Sequence, residues 1–200
     1  MGVNSFDKVA GAYDWLSRQV FGDAILASQL VFCVLLEKEH DVLILGGGTG
    51  KLLETIPSVR SIDYVEKSRK MLQLAYPRTI ANNISYYQED FLTWQTDKKY
   101  DAILCPFFLD CFDTTHLYKV IRKVKTHMKA EGLLLVADFE QKHTPKTLSI
   151  LMHWFFRITA NLESRKLKDI HNALTSEGMM AINEKFFRQN MIFSRVYRNL

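Results

Sequence analysis

The alternation of short apolar runs with amphipathic stretches constrains this chain more than any single motif. Five β-rich runs lie at 41–46 (DVLILG), 60–66 (RSIDYVE), 84–88 (ISYYQ), 101–107 (DAILCPF) and 132–138 (GLLLVAD). Helical patterns stand at 23–39, about 50–56, 68–76 and 115–129. Runs that are apolar throughout become strands buried on both faces, and parallel strands need a crossover between them. The tail AINEKFFRQNMIFSRVYRN predicts two more strands joined at Arg188-Gln189-Asn190, short enough for an antiparallel hairpin. The expected fold is α/β: a seven-stranded, mostly parallel sheet with helices on both faces and a C-terminal antiparallel hairpin.

The chain changes character after the fifth run. Thr144-Pro145 pairs a cap residue with proline at a first helical position, and the aromatic-rich PKTLSILMHWFFRITANL follows. Trp154, Phe155 and Phe156 cannot share one helix face at about 100° per residue, so part of this surface meets another element or an apolar ligand. A further helix is expected from Ser164 through Lys166–Glu177, closed by Gly178.

Composition narrows the class. With 48% apolar and 24% charged residues, 200 residues suffice for one globular domain with its own core. Cys33, Cys105 and Cys111 lack CxxC or Cys/His spacing, which suggests buried thiols in a reducing cytoplasm and no metal site. No signal peptide or membrane span is expected: the start is not basic and unbroken, and LSILMHWFF is far too short. Phe6 stands where a myristoylation motif wants Ser or Thr. The net charge of +4 resides largely in LYKVIRKVKTHMK, but Leu117, Val120, Ile121, Val124 and Met128 recur there at helical spacing. The lysines then fill a solvated face rather than a nucleic-acid patch, and this length holds no appended nucleic-acid module.

Chemistry is concentrated in LILGGGTGKLL, residues 43–53. A Walker loop fails twice, because Leu52 follows Gly50-Lys51 and Leu45 stands five before Gly50. A dinucleotide loop G-x-G-x-x-G fits at Gly46 and Gly48, but Lys51 occupies the third glycine position. Gly46, Gly48 and Gly50 instead form G-x-G-x-G between a strand and a helix, a turn that lets backbone approach a ligand. Glu66 ends the second run, where a carboxylate can accept from both ribose hydroxyls of an adenosine ligand. Asp90 could accept from an adenine amine and Phe91 could cover the ring. All lie at C-terminal strand ends, the ligand side of open α/β sheets.

VLILGGGTG, IDYVEKSRKMLQLA and YYQEDF, with YDAILCPFFLDCF and EGLLLVADF, resemble the motifs of the Rossmann-like class I S-adenosylmethionine-dependent methyltransferases over nearly the whole chain. FDKVAGAYDWLSRQVFG is similar to the opening of the quinone-type small-molecule C-methyltransferases, in which an aromatic N-terminal segment lies over the cofactor. The resemblance implies S-adenosylmethionine as cofactor, with Gly46, Gly48 and Gly50 as its methionine-side loop. It further implies Glu66 as the ribose ligand with Lys67 beside it, Asp90 and Phe91 at the adenine, and Tyr13 over the cofactor. It divides the single domain into an N-terminal helical cap (1–40), a cofactor-binding half (41–139) and acceptor-side helices with the hairpin (140–200). The implied activity is methyl transfer to a small, partly hydrophobic organic acceptor, in the cytoplasm, with a homodimer left open.

Ile44 departs from the acidic residue many members carry two positions before the first glycine. It leaves a noncatalytic cofactor-binding scaffold as one alternative, and a nicotinamide-dependent oxidoreductase as another. A sulfonium methyl donor is already activated, so positioning carries much of the catalysis and a base is needed only where the acceptor must lose a proton. Asp110 is the candidate catalytic group facing the methyl, against a role as a loop carboxylate. Asp138 either points into the pocket or bonds its own loop, and His143 and His153 read as structural hydrogen-bonders. CPFF (105–108) lacks the Asp or Asn of the [DN]-P-P-[FY] motif, so Cys105 reads as a buried strand thiol.

Overall fold

The computed structural model describes Trp15 and residues 18–19, 21–78, 83–140 and 168–199. Tyr13, His143, His153, the Thr144-Pro145 helix start and the Trp154–Phe156 helix lie outside the described residues. The strands are β1 (Asp41–Leu45), β2 (Ser61–Val65), β3 (Ile84–Tyr87), β4 (Tyr100–Pro106), β5 (Met128–Phe139), β6 (Met179–Phe187) and β7 (Ile192–Asn199). They form one seven-stranded sheet in the order β3-β2-β1-β4-β5-β7-β6. β1 to β5 pair in parallel, whereas β7 runs antiparallel to both β5 and β6. β7 thus inserts between β5 and β6, and its turn holds Arg188, Gln189 and Asn190 at positive φ. β1 lies between β2 and β4, so the crossovers diverge there and open a crevice at the strand ends.

The strand period of two sorts the core into two layers. Val42, Ile44, Ile62, Tyr64, Ala102 and Leu104 face one side, against Leu52, Leu53, Leu72 and Ala75. Leu43, Leu45, Val65, Ile103 and Cys105 face the other, against Leu117, Val120, Ile121 and Val124 of helix α3 (Thr114–His127). The first layer also meets α2 (Arg69–Ala75), and α4 (Ile170–Ser176) joins the second. Among the described residues, no helix is long and apolar enough to cross a membrane.

Four expectations are corrected. The 23–39 helix is only α1 (Ala24–Leu30), followed by a 3-10 turn at Cys33–Leu35 that buries Cys33 and exposes Val34. The 50–56 helix is a single 3-10 turn, Lys51–Glu54, because Leu52 and Leu53 are both buried and Pro57 prevents continuation. Met128 opens β5 instead of ending α3. The lysine face of α3 is partly committed: Lys123 Nζ donates to the Leu92 and Trp94 carbonyls, and Lys125 Nζ to that of Glu177.

Candidate active site

A cleft of about 750 Å³ opens at the C-terminal ends of β1, β2 and β4. Its wall includes Gly46, Gly48, Glu66, Lys67, Asp90 and Phe91, so six residues expected from the sequence converge on one space. Such a volume suits a cofactor-sized ligand. Gly50 and Asp110 are not part of the wall.

The loop after β1 is shaped by what surrounds it. Gly48 has φ 61, and a Cβ built there would meet nothing within 4 Å, so this residue leaves space a side chain would fill. Gly47 is different: a Cβ there would lie 2.4 Å from the Tyr64 hydroxyl. Gly50 packs on α2, where its Cβ would come within 2.7 Å of that of Ala75. The close helix approach that a third dinucleotide glycine would allow is therefore made one residue earlier than Lys51.

Glu66, one residue beyond β2, is only 8% exposed. Its Oε2 accepts from Gly48 N (3.1 Å) and its Oε1 from Ser68 N (2.7 Å), so one carboxylate joins the loop to the start of α2. A carboxylate offers about four acceptor positions, enough to hold backbone and to receive ligand hydroxyls. Asp90 Oδ2 pairs with Lys67 Nζ at 2.8 Å, and Oδ1 accepts from Leu92 N at 2.9 Å. Burial alone would raise this carboxyl, but the Lys67 and Leu92 hydrogen bonds outweigh it and hold Asp90 below the usual carboxylate range. Phe91 borders the cleft, yet its ring is built into the core beside Trp94 and Phe108 with Lys123 Nζ 5.0 Å above it.

The chain beyond β4 supplies an apolar wall of Pro106, Phe107, Phe108, Cys111 and Phe112. Phe107 holds φ 52 and packs on Phe139 at 4.9 Å. That left-handed backbone turns the strand end so that consecutive phenylalanines both reach the cleft. Asp110 stands behind this wall: its backbone N–H donates to Asp138 Oδ2 (3.2 Å), its carbonyl accepts from Lys168 Nζ (3.3 Å), and the Sγ of cleft-lining Cys111 lies 3.5 Å from its Oδ1. Asp138 is fully buried and also accepts from Phe139 N, so its carboxylate joins the end of β5 to the segment after β4. Burial, then the nearby Asp110 charge, pushes its carboxyl well above the usual range. Burial likewise raises the Cys105 thiol, which is inert in the sheet. Among the described residues no group of three His, Cys, Asp or Glu could hold a metal ion.

Sequence reasoning passed over Gly47, Thr49, Arg78 and Phe108. Thr49 is buried in the loop and receives Arg78 Nη1 at 3.0 Å, and both line the cleft. The run of three glycines was a usable signal for Gly47; nothing in the sequence pointed to Arg78.

Residues 42–132 match the family described as a methyltransferase domain. The chain has the Rossmann-like methyltransferase fold. Solved structures give the same fold at low identity. The N-methyltransferase NodS of Bradyrhizobium japonicum, in complex with S-adenosyl-L-homocysteine, matches with a TM-score of 0.66 and 16% identity over 88% of this chain and 83% of its own. A DhpI complex with the same ligand (SAH) matches at 0.71 and 15%, covering 97% and 93%. The mitomycin 7-O-methyltransferase MmcR matches at 0.70 and 16%, covering 98% of this chain and 60% of its own. Comparison with curated proteins finds no significant match. The matched stretch spans the glycine loop, Glu66, Asp90 and the Phe107 wall together.

Proposed function

We propose that the cleft binds S-adenosylmethionine and that the protein transfers its methyl group to a small, partly hydrophobic organic acceptor. The observation that carries this reading is Gly48, open to the cleft and held by the Glu66 carboxylate at the end of the neighbouring strand. Gly46 and Gly48 would take the amino-acid end of the cofactor, Glu66 the ribose hydroxyls, and Asp90 with Lys67 the base. Bound there, S-adenosylmethionine supplies a methyl group made electrophilic by its sulfonium.

The chain's own contribution is then position and exclusion. Pro106, Phe107, Phe108 and Phe112 would seat an apolar acceptor beside the cofactor and keep water out. Asp110 does not line the cleft and its backbone N–H donates to Asp138, so positioning rather than a base from this carboxylate carries the proposed transfer. NodS is named an N-methyltransferase and MmcR an O-methyltransferase, and the accepting atom of this protein is left to acceptor screening.

The test is calorimetry with S-adenosylmethionine and S-adenosylhomocysteine against NAD. Saturable binding of the sulfur pair with none of NAD is expected. NAD binding in preference would overturn the reading in favour of an oxidoreductase. Binding without methylated product from a broad panel of small acceptors would overturn transfer in favour of a scaffold.

A further inference from the structure

Position 44 brings no polar atom to the glycine loop, because Ile44 is fully buried in the apolar layer. In register with it across the β1–β2 pair stands Tyr64. Tyr64 and Glu66 are two residues apart, so the strand period sends both side chains to the same side, toward the loop that follows β1. The Tyr64 hydroxyl donates to Gly48 O at 3.0 Å, while Glu66 accepts from Gly48 N at 3.1 Å. Both backbone polar groups of Gly48 are therefore held by side chains of the second strand. The Tyr64 ring also packs so close to Gly47 that a side chain there would collide with its hydroxyl end. The turn itself is closed by Gly50 N donating to Gly47 O at 3.1 Å.

We propose that Tyr64 is a positioning residue for the cofactor: it fixes Gly48, jointly with Glu66, in the conformation that receives the ligand. The inference rests on the cofactor reading of the cleft. Burial, then the Glu66 charge, keeps the phenol protonated, so the hydroxyl is a permanent donor. A buried donor of this kind costs the loop no reorganisation when ligand arrives. The strand that supplies the ribose ligand would thus also set the glycine loop, through two residues of one face.

The test compares wild type with Tyr64→Phe, which keeps the ring and removes only the hydroxyl. Leaving the half-buried Gly48 carbonyl without its donor predicts about tenfold weaker S-adenosylhomocysteine binding by calorimetry. It also predicts faster amide exchange confined to residues 46–50, with the β1 and β4 core amides unchanged. Native affinity with unchanged loop exchange would overturn the proposal. Equal acceleration of loop and core amides would assign the hydroxyl to general stability and overturn it as well. If wild type binds no S-adenosylhomocysteine, the cofactor reading fails, and loop exchange alone still decides what Tyr64 does.

Discussion

Glu66→Gln isolates the charge of the site at constant shape. In the wild type two backbone N–H groups, of Gly48 and Ser68, point at the two carboxylate oxygens, at 3.1 and 2.7 Å. A glutamine amide has one oxygen, so whichever way it turns, its NH₂ faces one of these donors. Losing one charge-assisted bond in a site only 8% exposed should cost about 2 kcal/mol of folding stability. Binding should suffer separately, because a neutral amide accepts hydroxyl donors about half as strongly as a carboxylate. Two weakened ribose bonds at about 1.4 kcal/mol each amount to roughly a hundredfold loss of affinity. S-adenosylhomocysteine titrations of both proteins give the affinity, and urea unfolding gives the stability. A folded Gln variant that binds within about threefold of wild type, under 1 kcal/mol, refutes the assignment of Glu66.

Two neighbouring glycines should respond in opposite ways. Gly47→Ala forces a methyl to 2.4 Å from the Tyr64 hydroxyl beside a ring that is fully buried, an overpacking of about 2 kcal/mol or more, read as a lower urea midpoint. Gly48→Ala meets open space, so its stability cost is only the left-handed backbone, about 1 kcal/mol, while its methyl should block cofactor binding in calorimetry. Asp138 sets a pH dependence: its folded carboxyl is raised by burial and by the Asp110 charge, so the folded state holds a proton that the unfolded chain releases near pH ~4. Its stabilising contribution is complete below that pH and is lost as pH rises toward the folded value. Urea midpoints measured from about pH 4 upward should fall more steeply for wild type than for Asp138→Asn, and parallel profiles would contradict the assignment.

The apolar strands were legible because burial on both faces leaves no polar alternation, and all seven strands lie where the periodicity puts them to within a few residues. Helix lengths were less legible. Leu52 and Leu53 read as helical residues locally, but packing and Pro57 allow only one turn. At the site, the glycine loop, Glu66, Lys67 and Asp90 could be named because each stands at a strand end, and strand ends of a parallel sheet gather at one edge. Asp110 could not be placed in the same way. It stands four residues past β4, and the positive φ of Phe107 turns the intervening chain so that phenylalanines take the cleft.

By itself the sequence determined the layer order of the fold, the glycine loop at the sheet edge and the carboxylate at the end of the neighbouring strand, since these follow from hydrophobic period and from glycine spacing. Only the tertiary structure decided that β7 enters between β5 and β6, that Phe107 and Phe108 wall the cleft, and that Tyr64 holds Gly48 from the neighbouring strand. Those features depend on register and on contacts between residues sixteen or more positions apart, and a hydroxyl 3.0 Å from a carbonyl exists only once two strands are aligned.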